Sequence, residues 1–464
     1  MTAPSLARRL ARFVRELRVD AVPAAVRAQA QLLTLDTLGS CLASSTMDFG
    51  HAVLTAAEAL GGRAESVLVG RPTRVAAANA VLANSTLAHG LDFDDTREDA
   101  IVHTGCVAVP TALACAEAAA GTGAAALEAV IAAVEVMCRI GLAVPGRFHA
   151  RHFHPTSLTA GFAAAAAAGK LGALDEDALV RAFGICGSQA GGIIEYLGDG
   201  TWTKRLHPGW GAHAGVVATR LAAAGFTGPE RVFEGEHGFY AAFAGGHDAA
   251  RLEEHVGSLG RTWEILNLTY KPYPSGSIAQ PYMDCAARLR DEHKIAPEAI
   301  VEVRCRTADG PVPRLWEPLA AKHRPANGYV AKFSLPYLLA SVLVRGTAGL
   351  ADFTDEAVRD ESVLAVAGRV AYDLDPTIDY PRQFVGDVRI RLRDGRVLEA
   401  HQDHPRGGPD FPLAPRDLER KFRGNARLAL SADVVDAVVD DVGRLATLSH
   451  VGPLMARLAG RAST

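Results

Sequence analysis

Apolar positions recur at spacings near 3.6 from Ser5 to about Asn267, and that period predicts helices. Ala24–Ala43, Ala76–His89, Pro110–Ala120, Ala124–Ala143 and Ser157–Leu171 all have helical length, with breaks at Gly61-Gly62, Gly121, Pro145-Gly146 and Gly225. Six consecutive alanines, Ala163 to Ala168, stand between Phe162 and Leu171. Side chains this small let helix axes approach closely, so the run reads as packed helix rather than as a low-complexity linker.

The period changes near Leu268. Glu302–Arg306 and Val370–Leu374 alternate as strands do, and Gly386–Ala400 carries Asp394-Gly395 between two alternating runs, a hairpin signature. Pro281–His293 and Asp355–Ala371 read as helices between the strands. After the loop Pro405–Pro415, helical spacing returns in Pro415–Phe422, Ala432–Arg444 and Leu454–Leu458. The expected fold is mainly α: an all-helical domain built from both chain ends (residues 1–267 and 409–464) and a smaller α+β domain (268–408) with an antiparallel sheet.

Composition narrows the class of function. A chain of 464 residues, 49% hydrophobic and 22% charged, can bury a large core in two domains. The net charge of −4 is spread without a basic block, which argues against a nucleic acid or a membrane surface as the main partner. The seven cysteines are odd in number, widely spaced and free of any CxxC pair. Disulfide frameworks and zinc knuckles are excluded on that pattern, and buried thiols in a cytoplasmic protein are expected. Met1–Val19 carries five arginines and no apolar core, so it does not read as a secretory signal. Gly123–Val144 is interrupted by Glu128, Glu135 and Arg139 and reads as a buried helix rather than a membrane span.

Four polar segments stand out against this apolar background. Asp92, Asp94 and Asp95 crowd three carboxylates into four positions ahead of Thr96 and His103. They can cap a helix, but they lack the ligand ladder and fixed glycine of a calcium loop. His152 and His154 form a His-x-His pair with no third zinc ligand at a familiar spacing, so one pocket-facing histidine, His154, is the better reading. Gly187–Gly192 lacks the Lys-Ser/Thr ending of a phosphate loop. Beyond it, Lys204, Arg205 and His207 gather three cation-capable groups, as a substrate with two or three carboxylates requires. Trp202 and Trp210 on either side point to partial burial. Tyr270–Ser277, with two prolines and a glycine, holds Lys271 in a stiff loop at the domain change.

Together these segments resemble the MmgE/PrpD family, which includes 2-methylcitrate dehydratase, cis-aconitate decarboxylase and iminodisuccinate epimerase. The resemblance rests on Asp92-Phe93-Asp94-Asp95-Thr96 with His103, His154-Pro155, Lys204 to Gly209, Lys271 to Pro274 and Lys332 to Tyr337, spread in order over most of the chain. It implies a helical domain with an α+β lid domain, a homodimer, and catalysis without metal or organic cofactor. By position it implies a pocket of Asp92, Thr96, His103, His154, Lys204 and Lys271. In that pocket the lysines stabilise carboxylate charge, Thr96 donates a hydrogen bond, the histidines carry protons and Asp92 orients a histidine or acts as a base. Arg205 and His207 are the further substrate-binding candidates. The resembling decarboxylases have a histidine five residues after the lysine matching Lys271, where this chain has Gly276. The resembling methylcitrate dehydratases also carry a different sequence after that lysine. The resemblance implies proton abstraction from a small di- or tricarboxylate, with a hydro-lyase first, because the resembling enzymes are mostly lyases, and an epimerase or decarboxylase as alternatives. A non-catalytic carboxylate-binding helical protein is the alternative from another class, and a pyridoxal-phosphate enzyme using Lys271 lacks a visible phosphate cradle.

Overall fold

The computed structural model describes residues 4–380 and 383–460. Two compact units result: one runs to Leu268 and resumes at Ala414, the other is Thr269–Leu413. The first unit is built on α1 (Ala24–Ser45), α2 (Ala77–His89), α3 (Gly105–Ala118), α4 (Gly123–Leu142), α5 (Pro155–Leu171) and α6 (Thr203–Ala223). α5 packs against α4 and α6, and α6 also packs against α2. The alanine run lies in α5 and is buried throughout. Close approach depends on glycine as well. A Cβ on Gly215 would sit 2.3 Å from the Gly161 carbonyl oxygen, and one on Gly209 would sit 2.2 Å from Thr86 Oγ1.

The polar interruptions of α4 are paired inside the core. Arg139 Nη2 lies 2.9 Å from Glu135 Oε2 one turn away, and Glu135 Oε1 accepts the Ile265 N–H at 3.1 Å. Both side chains are fully buried, so each needs its partner: removing one would leave a buried charge uncompensated. No described helix is long and apolar enough to cross a membrane. All seven cysteines are free thiols, and six of them are buried.

One helix start differs from expectation. α3 begins at Gly105, not Pro110, and carries that proline inside it. The sequence rule places proline in a first turn, but here a distant carboxylate caps the true start. Asp95 accepts the N–H groups of Thr104 at 3.0 Å and Gly105 at 2.8 Å. The first unit's two short strands, β1 (Ser66–Val67) and β2 (Arg74–Val75), pair antiparallel.

In the second unit α7 (Gln280–His293) packs on a four-stranded sheet of β3 (Ile300–Thr307), β4 (Val370–Leu374), β5 (Gly386–Leu392) and β6 (Val397–Gln402), in the order β4-β3-β5-β6. The hairpin at Asp394-Gly395 joins β5 to β6 antiparallel, and β5 is also antiparallel to β3. β4 lies parallel to β3, so the sheet is mixed. The physical reason is the connection: the chain between β3 and β4 crosses over through helices, including α8 (Leu335–Arg345), and returns in the same direction. The helix expected over Asp355–Ala371 is shorter, α9 (Glu361–Ala367), after a 3-10 turn at Ala357–Arg359. The Asp360 carboxylate accepts the Ser362 N–H at 2.9 Å and starts α9, and Val370 already belongs to the β4 ladder.

The chain then re-enters the first unit as α10 (Pro415–Ala426), packed on α1. Lys421 on α10 reaches Asp36 on α1 at 2.8 Å and donates to the Phe93 carbonyl at 2.6 Å, with its ammonium 3.8 Å from the Phe93 ring centre. The C-terminal segment thereby fixes the loop that carries the three aspartates.

Candidate active site

α2 ends at His89, and the chain leaves it through Asp92, whose φ of 56° is in the left-handed region that aspartate tolerates better than most residues. This turn faces Asp94 and Asp95 inward, both with no exposure. Asp95 spends its oxygens on the start of α3, accepting also the Thr104 hydroxyl at 2.7 Å. Burial first, and the adjacent Asp94 charge second, push its carboxyl up to about 7. Asp94 faces histidines instead. His89 Nδ1 lies 2.7 Å from Asp94 Oδ2, and His103 Nδ1 lies 3.5 Å from Asp94 Oδ1.

His103 is held from three sides. Its Nδ1 lies 2.8 Å from the Asp95 carbonyl oxygen and 3.3 Å from Thr96 Oγ1, while its backbone N–H donates to Thr156 Oγ1 on α5. A carbonyl only accepts, so in the neutral ring the Nδ1 carries the proton and the Nε2 carries the lone pair. His154 immediately precedes α5, and its N–H donates to the Gly192 carbonyl at 2.9 Å. Its Nδ1 meets His207 Nδ1 on α6 at 3.1 Å. The rings of His89 and His154 stack at 5.6 Å, His89 and His103 meet edge-on at 4.7 Å, and Tyr196 closes against both His154 and His207. Four imidazoles thus converge in a buried site next to one carboxylate.

Charge surrounds them. Lys204, one turn before His207 on α6, lies 3.1 Å from Asp92 Oδ1. Burial, reinforced by the charges that His89, Lys204, His207 and His103 can carry, holds His154 well below its ordinary range. Burial with His89 and Lys204 brings His207 down to about 4. Both rings are neutral in the folded protein at neutral pH, whereas the unfolded chain titrates them near 6.5. As pH falls below that value the unfolded chain takes up protons that the folded chain refuses. The stability present above 6.5 is therefore lost progressively as pH drops towards about 4. The thermal midpoint should fall between about pH 7 and about pH 5, and His207→Gln should flatten that fall. An equally steep fall in the variant would remove His207 from the account.

The residues expected from the sequence are placed as follows. Asp92, Thr96, His103, His154, Lys204 and His207 all come together in the first unit, all buried but Lys204, whose side chain is 12% exposed. Arg205 is set apart: its guanidinium lies 4.1 Å over the Phe49 ring and 5.9 Å from Trp202. The tryptophans are more exposed than expected, Trp202 at 49% and Trp210 at 56%: Trp202 stands just before α6 and Trp210 on its outer side, while His207 is buried. Lys271 belongs to the second unit and is fully buried. Its loop is held by Gln280, which accepts the Tyr273 N–H and donates to the carbonyls of Tyr273 and Ser275. At Gly276 a Cβ would meet only the Phe333 ring, at 3.5 Å, so a side chain fits there.

Sequence reasoning missed His89 and the role of Asp94. Asp92 was expected to orient a histidine or to act as a base; in the structure it lies 3.1 Å from Lys204, and Asp94 is the carboxylate at 2.7 Å from His89 Nδ1. A histidine ending an otherwise apolar helix, five residues before an aspartate, was the available signal. The exposed His152 of the His-x-His pair is not part of the cluster; His154 instead meets two other histidines, and ring nitrogens of His89, His103 and His154 lie within 4.8 Å of one another. A second such group is His89, Asp94 and Cys106.

Comparison with known proteins identifies the family. The MmgE/PrpD N-terminal domain model matches residues 8–252 and the MmgE/PrpD C-terminal domain model matches residues 273–442. The cis-aconitate decarboxylase of Mus musculus is 27% identical over 478 residues, covering 99% of this chain and 94% of that protein. The cis-aconitate decarboxylase of Homo sapiens is 26% identical over 468 residues, covering 99% and 96%. That of Aspergillus terreus is 24% identical over 463 residues, covering 95% and 93%. With both domain models matched along most of its length, the chain belongs to the MmgE/PrpD family.

Proposed function

We propose that this protein is a lyase that transfers protons on a small di- or tricarboxylate without a metal or organic cofactor, and that its reaction is a dehydration. The observation that carries this reading is the buried meeting of His103, His154 and Lys204 beside Asp94 and Asp92. His103 suits the base: its Nδ1–H is fixed by the Asp95 carbonyl, its Nε2 accepts, and the Asp94 carboxylate stabilises the imidazolium that forms. His154 suits the acid. A ring that holds its proton weakly gives it up readily, and the substrate's carboxylates supply the negative charge that loads it. In the dehydration His103 takes the proton from carbon and that electron pair becomes the new double bond. The C–O bond breaks, and the hydroxyl leaves as water with the proton of His154. Lys204, and by family resemblance Lys271, stabilise the charge that builds on the carboxylate beside the reacting carbon.

Decarboxylation is the second reading, favoured by the relatives named cis-aconitate decarboxylase. Gly276 departs from the resembling decarboxylases, which carry a histidine there, and the resembling methylcitrate dehydratases also carry a different sequence after the lysine matching Lys271, so this position favours neither reading. A panel of di- and tricarboxylates incubated in D2O and followed by NMR separates the outcomes: loss of water, loss of CO2 and exchange at carbon give different spectra. Binding without turnover or exchange across the panel would leave a carboxylate-binding protein and end the enzymatic reading.

A further inference from the structure

We propose that His89, His103 and His154 form a site for one borderline divalent cation such as Zn2+ or Co2+, and that its occupation inhibits the enzyme. The donors come from three separate places in the chain: the end of α2, the start of α3 and the start of α5. Each ring is braced through Nδ1: His89 by the Asp94 carboxylate at 2.7 Å, His103 by the Asp95 carbonyl at 2.8 Å, and His154 by His207 at 3.1 Å. A ring held through Nδ1 in this way offers Nε2 as its ligand atom. In the tautomer where His154 donates to His207, all three neutral rings carry that lone pair. His89 Nε2 is fully buried with no hydrogen-bond partner among the described residues, and His89 itself is 2% exposed. An orphaned buried nitrogen of this kind is destabilising, and a ligand relieves that cost.

Ring nitrogens of the three residues lie within 4.8 Å of one another. Tetrahedral coordination at about 2.0–2.1 Å sets nitrogens roughly 3.4 Å apart. Binding requires the three nitrogens to draw together by up to about 1.4 Å. A set of three imidazoles selects Zn2+, Co2+ or Ni2+ over Mg2+ and Ca2+, which prefer oxygen. A bound cation takes the lone pairs of His103 and His154, which the proposed reaction needs for moving protons. Inhibition thus rests on the proposed function, whereas binding does not.

The test is titration of the chelated full chain with Co2+, read by its visible ligand-field absorption. One saturable equivalent with a nitrogen-rich spectrum is expected, displaced by Zn2+. His89→Gln and, separately, His154→Gln should weaken it by about tenfold or more, and His152→Gln, an exposed neighbour, should leave it intact. Circular dichroism checks that each variant folds, and the second covers for the first if His89→Gln does not. Turnover on whichever substrate the panel reveals should be full after chelation, suppressed by Zn2+ and restored by EDTA. Absence of a saturable band, or a band unchanged in both variants, overturns the site. Turnover that rises with metal overturns inhibition and the metal-free reading together. Cobalt binding in a protein that turns over no carboxylate leaves the site standing and removes the lyase.

Discussion

Replacing His103 by glutamine should lower turnover by about 10²–10⁴-fold and abolish exchange of the substrate's carbon-bound proton with solvent. The size follows from general base catalysis, and the selectivity follows from placement. Asp94, at 3.5 Å, stabilises the cation that only a histidine at this position can form. Glutamine preserves a hydrogen bond to the Asp95 carbonyl but cannot accept the proton. His154→Gln should lose turnover to a comparable extent by a different route. If His154 protonates the departing hydroxyl, its loss matters less for a leaving group that needs no proton, and a fluoro analogue should recover much of the rate. The two variants also discriminate against epimerisation, where each face has its own acid–base group. One of them would then keep exchange from the surviving face while losing inversion. Wild-type turnover and exchange in both variants would take the proton-carrying role away from these histidines and pass it to Asp92.

Lys204→Met should raise the barrier by about 2–4 kcal/mol, the scale of losing one donor at a developing oxyanion. Lys204 meets Asp92 at 3.1 Å with its side chain only 12% exposed, so its charge acts where water screens little. The loss should fall on kcat as well as on KM, because the carboxylate carries most charge when the carbon is deprotonated. Asp92→Asn is the informative companion: it leaves Lys204 in place but removes the counter-charge, and should strengthen ground-state binding of the carboxylate. Lys271→Met is expected to match Lys204→Met. A covalent adduct trapped by borohydride at either lysine would replace electrostatic stabilisation with Schiff-base chemistry.

The local code carried much of the fold. Helical spacing marked α2, α4 and α5 to within a few residues, and Asp394-Gly395 marked the β5–β6 hairpin, because period and turn chemistry are properties of neighbours in the chain. The alanine run in α5 was legible for the same reason. Where a distant group intervened, the reading shifted. α3 starts five residues before its proline because Asp95, ten residues away from Gly105, caps it. β4 joined the sheet parallel because the crossover before it fixed its direction, which alternation alone cannot encode.

The site divides along the same line. Histidine, lysine and aspartate in an apolar chain announced chemistry, and the resemblance ordered them. Which carboxylate meets which base was decided by the left-handed turn at Asp92, which faces that residue to Lys204 and leaves Asp94 to His89 and His103. His89 ends an apolar helix. Only the packing of α2, α5 and α6 set its ring 5.6 Å from His154 and left its Nε2 buried without a hydrogen-bond partner among the described residues. Residue types are fixed by the sequence, but the free energy of a buried polar atom depends on what stands within hydrogen-bond reach of it, and tertiary structure alone supplies that neighbourhood.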